Sequence, residues 1–444
     1  MHLSQPDLRA ANGHAVSSTG ASPASPGTAE LEFRSNWKLL VAAVIGTGIG
    51  LPTLPFYSIG IFAPSLAKEF GWSFGSIFGG LAVTTAALLL LGPFIGSLLD
   101  RFGTRRIAAL SLATMGLAYM TLALSTGSLA QYYGTWLLIP IAGMGATPVA
   151  FTRAVGGRFV IRRGLALGIT LAGTGLFALF MKPLTQLILI HYGWRVAVVA
   201  LGALPLVIGT SIVLWGMGGE RRIEVRPRPG ETDIKPDAAS GLTVRQALRT
   251  RAFWIMLVVF LPVSFASAGP FPNMENILRS VRLDLGEIVK VTSLLGITIV
   301  CGRLIGGWAI DRVWAPLVGA TVLTGAAFGS LILAQSVVPY SQALLAIVLL
   351  ALAAGVEIDL MAYCVARYLG MRSYGAIYGV LYGVFAVGAG LGPSLFGRAF
   401  DLSGHYRYVM SGCALVLLMS AMLLLGMGRY PNRGAGSGAP TRQR

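Results

Sequence analysis

A short phrase occurs twice in this chain, each time at the end of a long apolar segment. The first copy is GSLLDR at 96–101, and the second is GWAIDR at 307–312. Further glycine pairs keep the same offset of 211 residues: Gly75 and Gly286, Gly164 and Gly375, Gly168 and Gly379, Gly193 and Gly404. One offset shared by so many positions indicates a duplicated half. A duplicated, strongly apolar chain favours a membrane fold in which two similar halves move about a shared central site.

The composition also indicates a membrane protein. Only 11% of the 444 residues are charged, and 55% are hydrophobic, which is too little charge for a surface in contact with water. Apolar stretches of about 20 residues, long enough to cross hydrocarbon as a helix, recur along the chain. Twelve spans are predicted: 38–63, 74–99, 107–124, 135–157, 164–190, 195–216, 252–272, 288–310, 316–335, 342–365, 374–397 and 406–427.

The order of these spans predicts an all-α membrane protein with 12 transmembrane helices in two pseudo-symmetric six-helix bundles. The bundles would comprise 36–218 and 252–428, joined by a charged cytoplasmic linker at 219–251. Residues 1–35 are rich in Ser, Ala, Pro and Gly, so we expect a disordered cytoplasmic tail. The basic stretch 429–444 is expected to be a second cytoplasmic tail. Within the linker, TVRQALRTR at 243–251 fits either a short amphipathic helix or a solvated segment.

The net charge of +17 comes from arginines that cluster in alternate loops between the predicted spans. The loops between spans 3 and 4 and between spans 9 and 10 contain no Lys or Arg. This alternation follows the positive-inside rule and puts both termini in the cytoplasm of a multi-pass protein of the inner or plasma membrane. It therefore argues against a nucleic-acid partner.

The sequence offers no sign of a cofactor, a metal site or an enzyme. Cys301, Cys364 and Cys413 lie inside predicted spans without metal-ligand spacing. No GxxxxGK[ST] or HExxH motif occurs. We also find no removable signal peptide pattern, so the first span would serve as the insertion signal.

The repeated phrase carries a family resemblance. GSLLDRFGTRR at 96–106 resembles the signature between helices 2 and 3 of the major facilitator superfamily, and 307–312 lies in the equivalent loop of the other half. The resemblance covers about 36–428. It implies the major facilitator fold, a central cavity lined by helices 1, 4, 7 and 10, and transport by alternating access.

Three further passages are similar to the monocarboxylate-porter branch, which includes oxalate:formate-antiporter relatives. These passages are YSIGIFAPSLAKEFGWS at 57–73, RRGLALGITLAG at 162–173 and GRLIGGWAIDR at 302–312. In animal monocarboxylate transporters, a helix-1 lysine and a helix-8 aspartate take part in proton coupling. The motif match places Tyr57 and Ile299 at those positions, while the helix-8 arginine is kept as Arg303. Proton coupling here would therefore need other residues.

Ionisable groups inside spans are expensive in lipid and are functional candidates by default. Arg303 and Arg153 are predicted to bind an anionic substrate, because a guanidinium stays charged and offers a planar fork to a carboxylate. Tyr57 and Tyr363 are predicted to contact that substrate. A structural ion pair between helices remains the alternative for Arg153, Lys182 and Arg303.

Proton coupling is predicted for Asp359, Glu357 and Lys182, since an apolar environment favours the protonated form of a carboxylic acid. Glu357 and Asp359 are two residues apart, or about 200° around a helix. They cannot both point into one cavity, so one would meet substrate or proton while the other pairs with a neighbouring helix. The sequence leaves open which does which.

The duplicated loops are predicted to gate the pathway rather than to touch the substrate. The resemblance implies that the loop contacts lock the halves together on the cytoplasmic side in one state and break in the other. The Asp of each motif can pair with an arginine and with the positive end of a neighbouring helix. The predicted gating residues are Gly96, Asp100, Arg101, Arg105, Gly307, Asp311 and Arg312.

These observations predict a monomeric, proton-coupled symporter of a small organic anion, such as a mono- or dicarboxylate or an aromatic acid. An anion exchanger or exporter remains the alternative, although the span at 171–186 lacks the GPxxGG-type signature of drug exporters in the superfamily. A membrane receptor or an intramembrane enzyme is the remote alternative.

Overall fold

A computed structural model describes residues 26–218 and 241–431 of the chain. Predicted segments that fall on 1–25, 219–240 and 432–444 lie outside the described residues. The described chain is built from α-helices with short 3₁₀ and π turns between them. The helices are α1 (Pro26–Gly48), α2 (Leu54–Phe70), α3 (Phe74–Phe102), α4 (Thr104–Met120), α5 (Leu129–Gly143), α6 (Pro148–Gly156), α7 (Arg163–Ala203), α8 (Thr210–Gly216), α9 (Val244–Ala247), α10 (Arg251–Ala268), α11 (Met274–Ser280), α12 (Leu285–Ser293), α13 (Leu295–Ile310), α14 (Ala315–Leu333), α15 (Tyr340–Cys364), α16 (Tyr374–Ser403) and α17 (Arg407–Leu425).

Ten segments of the described chain are long and apolar enough to cross a membrane, against the twelve spans predicted from the sequence. Two local features account for the difference. The first predicted span is divided between α1 and α2 by a turn at 49–53. The fifth and sixth run together as one segment of 54 residues, Arg163–Gly216, although Gly193 breaks the helical backbone within it (φ 82°, ψ 169°).

The 211-residue offset is visible in the backbone as well as in the sequence. Gly193 and Gly404 both have positive φ, 82° and 72°. Gly71 and Arg282, also 211 residues apart, both have φ 69°, and Arg282 is the one non-glycine residue with positive φ in the described chain. The chain therefore turns in the same way at matching points of the two halves.

The segment before the first predicted span is helical, not disordered, from Pro26 onward. It is ordered by contacts with the connection between α6 and α7, where the Phe33 and Phe159 rings lie 5.1 Å apart edge to face. At the corresponding place in the second half, α9 begins with a capping box between Thr243 and Gln246. This part of the predicted linker is therefore a short helix, one of the two possibilities that the sequence left open.

Two helix pairs join the first half of the chain to the second: α3 packs along α16, and α7 packs along α13. Glycines allow close backbone approach in both pairs. A Cβ atom on Gly96 would lie 2.0 Å from the Gly375 carbonyl oxygen, and one on Gly307 would lie 2.4 Å from that of Gly164. These crossings bring the duplicated motifs against the N-termini of α16 and α7.

Candidate functional site

A buried ion pair joins α13 to α15. Arg303 Nη1 donates to Asp359 Oδ1 at 3.0 Å, and the two side chains are only 7% and 1% exposed. Arg303 Nε and Asp359 Oδ2 are also buried and have no hydrogen-bond partner among the described residues. The pair thus retains one donor and one acceptor for a further group, although unsatisfied buried polar atoms are costly.

The second carboxylate of α15 faces a different neighbour. Glu357 is buried and lies beside Ser267 of α10, while its Oε2 atom has no partner in the described chain. It remains close enough to Arg303 and Asp359 for electrostatic interaction with both. Both carboxylates are therefore paired to a neighbouring helix, Asp359 to α13 and Glu357 to α10.

Three tyrosines complete this region. Tyr57 of α2 and both Tyr378 and Tyr382 of α16 lie within electrostatic range of the Arg303 guanidinium. The Tyr378 hydroxyl is buried without a partner among the described residues. We call the six side chains together the Arg303 cluster: Arg303, Asp359, Glu357, Tyr57, Tyr378 and Tyr382.

The Arg303 cluster has the groups needed to hold a small anion and to carry a proton. It contains one guanidinium, two carboxyl groups and three hydroxyl groups in an apolar, mostly buried setting. A guanidinium forms strong charge-assisted hydrogen bonds to a carboxylate, and a phenol can donate to one. Among the described residues, no group of three or more His, Cys, Asp or Glu side chains is arranged to hold a metal ion.

The first duplicated motif makes a second charged site at one end of the helices. Asp100 accepts hydrogen bonds from the backbone N–H groups of Gly375 and Ala376, both at 3.2 Å, at the N-terminus of α16. Arg153 Nε also donates to Asp100 Oδ1 at 2.7 Å, and its Nη1 donates to Thr104 at 3.0 Å. We call this arrangement the Asp100 contact.

The second motif makes the matching arrangement, here called the Asp311 contact. The two carboxylate oxygens of Asp311 accept from the backbone N–H groups of Gly164 at 2.6 Å and Leu165 at 2.9 Å, at the N-terminus of α7. These partners lie 211 residues before those of Asp100. A carboxylate at a helix N-terminus satisfies exposed N–H groups and interacts favourably with the helix dipole.

The other predicted site residues are divided between these regions. Tyr57 lies in the Arg303 cluster, whereas Arg153 lies in the Asp100 contact. Tyr363 lines a cleft of about 880 Å³ beside the Asp311 contact, together with Asp311 and Arg367. Lys182 belongs to α7, but its side chain lies outside the described part of the structure.

Three arginines of the motifs point away from the two carboxylates. Arg101 and Arg312 are exposed, with guanidinium carbons 5.4 Å from the Phe102 ring and 4.0 Å from the Trp308 ring. Arg105 donates to the carbonyl oxygen of Leu214 at 2.7 Å and so ties α4 to α8.

Sequence reasoning missed several partners because they are short polar residues with no distinctive spacing. Ser267 and Thr104 are examples, since Ser and Thr inside helices usually bond their own backbone. Glu32, which accepts from three backbone N–H groups of the connection between α6 and α7, fell in the segment expected to be disordered. The apolar residues beside it, Leu31 and Phe33, were the available signal of order.

Comparison with protein families gives one match over most of the chain: the family model of the Major Facilitator Superfamily covers residues 39–393. Among curated proteins, monocarboxylate transporter 11 of Mus musculus is 28% identical over 410 residues, which span 88% of each protein. An uncharacterized 38 kDa protein of Thermoproteus tenax is 26% identical and spans 83% of this chain and 90% of its own length.

Solved structures show the same fold at lower sequence identity. The E. coli fucose:proton symporter FucP aligns with a TM-score of 0.62 and 15% identity, covering 90% of this chain and 99% of the symporter. The human organic anion transporter MFSD10 aligns with a TM-score of 0.61 and 16% identity, covering 89% and 99%.

Proposed function

The chain belongs to the major facilitator superfamily, and from that premise we propose that it is a proton-coupled transporter of a small organic anion. Membership makes it a multi-pass membrane transporter, and the relatives named monocarboxylate transporters support a carboxylate substrate. We further propose twelve crossings in two six-helix bundles, with both termini cytoplasmic. In this arrangement α1 with α2 forms one crossing, and Arg163–Gly216 forms two.

The observation that carries the proposal is the buried pair of Arg303 and Asp359. A guanidinium in an apolar region needs a compensating negative charge, and Asp359 supplies it at 3.0 Å. An arriving carboxylate would compete with Asp359 for the same guanidinium. Arg303, Asp359 and the arriving anion would then bring one positive and two negative charges together, and an ionised Glu357 would add a third negative charge, which is unfavourable in a region of low dielectric.

Uptake of one proton by Asp359 removes that excess charge. The carboxylate substrate then pairs with Arg303, and the protonated Asp359 becomes a hydrogen-bond donor. Binding of anion and proton together is neutral overall, so the two species stabilise each other in the site. In this scheme Asp359 replaces the helix-8 aspartate of the animal transporters, whose position holds Ile299 here.

The Asp100 and Asp311 contacts provide the proposed gate. Both are formed in this structure, together with the close glycine crossings beside them. We propose that this is the state closed on the cytoplasmic side, with the Arg303 cluster accessible from the other side. Opening would separate α3 from α16 and α7 from α13 as the halves rock about the cluster. Arg153 would then serve the gate and not the substrate.

The test is uptake by purified protein in liposomes, after a thermal-shift screen of small carboxylates has identified a ligand. In the wild-type protein, an inward proton gradient should drive accumulation of the labelled acid. Asp359→Asn should abolish this drive while keeping exchange of internal for external anion, because Asn cannot take up the proton. Arg303→Gln should lower both activities by roughly thirtyfold or more, since the anion loses its charged partner.

Asp401 is an exposed aspartate on α16, so Asp401→Asn is the matched control and should behave as wild type. The double variant Arg303→Gln with Asp359→Asn removes both members of the ion pair at once and controls for loss of folding. Unchanged proton-driven accumulation in Asp359→Asn would refute the proposed coupling.

Anion exchange is the second candidate, favoured by Tyr57 and Ile299 at the positions where the resemblance places the coupling pair of the animal transporters. An exchanger would move labelled anion only when a second anion is present on the opposite side of the membrane, whether or not a proton gradient is imposed. The same liposomes therefore distinguish the two functions.

A further inference from the structure

The amino-terminal part of α1 holds the connection that leads into α7. Glu32 Oε1 accepts from the backbone N–H groups of Val160 at 2.5 Å and Ile161 at 3.2 Å. Its Oε2 atom accepts from the N–H of Arg162 at 3.1 Å. One carboxylate thus satisfies three consecutive N–H groups, a strongly anion-binding arrangement of backbone.

The same stretch of backbone continues directly into the Asp311 contact. The N–H groups of Gly164 and Leu165 go to Asp311, whereas those of 160–162 go to Glu32. Two carboxylates from different parts of the chain therefore hold five N–H groups within six residues. Moving the connection would also move the first turn of α7, on which Asp311 depends.

We propose that Glu32 is a positioning residue of the gate: it fixes 160–162 so that α7 presents its first N–H groups to Asp311. This inference rests on the proposed function, because it assumes that the Asp311 contact opens during transport. In the described chain Glu32 makes no hydrogen bond to the Arg303 cluster or to Asp311. Its negative charge lies within electrostatic range of Asp311 and opposes that carboxylate, so the positioning effect passes through the backbone between them.

The second half has a corresponding tie, but it is made without charge. Leu242 N–H donates to the carbonyl oxygen of Leu369 at 2.9 Å, and Gly241 pairs with Gly370 in an isolated bridge. Thr243 stands at the position equivalent to Glu32, 211 residues later. In each half, residues near its start therefore hold the chain that leads into a gate helix: Glu32 in α1, and 241–242 before α9. Neutralising a side chain can release only the first of these two ties.

Glu32→Gln is the sharpest single change. The amide has nearly the same shape, but its NH₂ group replaces one acceptor and would face a backbone N–H, donor against donor. Losing the charge-assisted bonds should shift the ratio of open to closed gate by roughly tenfold. Glu30→Gln removes the same charge from an exposed position of the same helix and should shift nothing.

The gate can be followed as the distance between spin labels on Phe102→Cys and Val313→Cys, two exposed positions in different halves near the two contacts. The native cysteines are first replaced by alanine. Gly307→Ala serves as the reference for an open gate, because its Cβ would meet the Gly164 carbonyl oxygen at 2.4 Å. Glu32→Gln is expected to increase the same long-distance population that Gly307→Ala increases.

A merely structural role would lower thermal stability without changing the distance distribution of the folded protein. Glu32→Asp keeps the charge on a side chain that is one methylene shorter. On a logarithmic scale, it should recover at least half of the change in the open-to-closed ratio that Glu32→Gln causes. It can be measured even if the glutamine variant folds poorly. Combining Glu32→Gln with Gly307→Ala should give less than the product of the two shifts, because both act on one contact.

The outcomes separate this inference from the function on which it rests. Distances that move in Gly307→Ala but not in Glu32→Gln or Glu32→Asp would overturn the positioning role and leave the gate standing. Distances that move in neither would overturn the gate and the positioning role together. Independent, multiplying effects of Glu32→Gln and Gly307→Ala would also overturn the positioning role.

Discussion

The Asp100 and Asp311 contacts share one backbone geometry but differ in their charges. Each places a motif carboxylate on two N–H groups at the start of a helix from the other half, beside a close glycine crossing. At Asp100 a basic side chain joins the contact, since Arg153 pairs with it at 2.7 Å. At Asp311 no salt bridge forms among the described residues, and an acid, Glu32, holds the same helix start instead.

The difference follows from positions that the duplication does not share. The residue 211 after Arg153 is Cys364, and the residue 211 after Glu32 is Thr243. Helix termini and glycine crossings are therefore common to both contacts. The first half also contributes an ionisable residue to each, Arg153 at the Asp100 contact and Glu32 beside the Asp311 contact. We expect the glycine geometry to determine whether a contact forms, and the charges to adjust how long it persists.

The largest effect should come from adding a methyl group at a glycine crossing, the feature that both contacts share. Gly96→Ala would place Cβ 2.0 Å from the Gly375 carbonyl oxygen, a backbone atom that cannot turn aside. Overpacking of this kind costs about 1–3 kcal/mol, so the closed state should lose roughly tenfold to a hundredfold in population. The label distance between positions 102 and 313 measures this loss directly.

Gly412→Ala is the control, because a Cβ at Gly412 meets no atom within 4 Å. A closed population in Gly96→Ala equal to that of Gly412→Ala would show that the glycine crossing does not determine closure. Gly307→Ala at the other contact should act in the same direction, since its Cβ would also meet a backbone carbonyl oxygen, that of Gly164 at 2.4 Å.

This part of the site could be foreseen because a single repeated phrase located it. The motif and the 211-residue offset identified Asp100 and Asp311 in advance, together with the helix N-terminus that each meets. The arginine expected beside each aspartate forms a salt bridge only at Asp100 among the described residues. The offset also pairs Gly164 with Gly375. Helix ends and small residues can be recognised from a short stretch of sequence, so a repeated motif is enough to locate them.

The second-largest effect should come from removing the Arg153 guanidinium, which pairs with the motif aspartate only at the Asp100 contact. Arg153→Met keeps much of the side-chain volume but removes the guanidinium, leaving a mostly buried Asp100 with its two backbone bonds alone. Loss of a charge-assisted hydrogen bond in such a setting costs about 1.5–3 kcal/mol, so the open fraction should rise by roughly tenfold or more. Transport kinetics and the 102–313 distance should both report it.

Arg101→Met is the matched control, since Arg101 is exposed and stacks on Phe102 instead of pairing with Asp100. If Arg153→Met weakens substrate binding at an unchanged gate distribution, then Arg153 belongs with the substrate, as the sequence alone suggested. The two variants therefore decide between the two roles.

The roles of buried charges were harder to foresee, because their partners are distant in the chain. Arg153 pairs with a residue 53 positions earlier, and Arg303 with one 56 positions later. A helical pattern shows that a charge lies in a span but not which neighbour it meets. Arg153 lies only three residues before the end of α6, so its position near a helix end was a usable sign that it meets the Asp100 contact rather than the Arg303 cluster.

A smaller effect should appear at the turns that precede the motif helices. Gly71 and Arg282 both have φ 69°, a left-handed conformation that favours glycine. Arg282→Gly should therefore stabilise the protein by about 0.5–1 kcal/mol, and Gly71→Ala should destabilise it by a similar amount. Opposite shifts of the thermal midpoint at these two equivalent positions would support a shared backbone; shifts of the same sign would contradict it.

The smallest effect tests whether Asp311 truly lacks a basic partner. Arg312 follows it directly, but its guanidinium lies over the Trp308 ring at 4.0 Å and donates to the Trp308 carbonyl oxygen at 3.2 Å. Exposed charges contribute at most about 1 kcal/mol, so Arg312→Met should change the open fraction by no more than roughly fivefold. A tenfold increase, equal to that of Arg153→Met, would mean that Arg312 turns to Asp311 in solution and that both contacts carry an arginine. The difference between the halves would then lie in Glu32 alone.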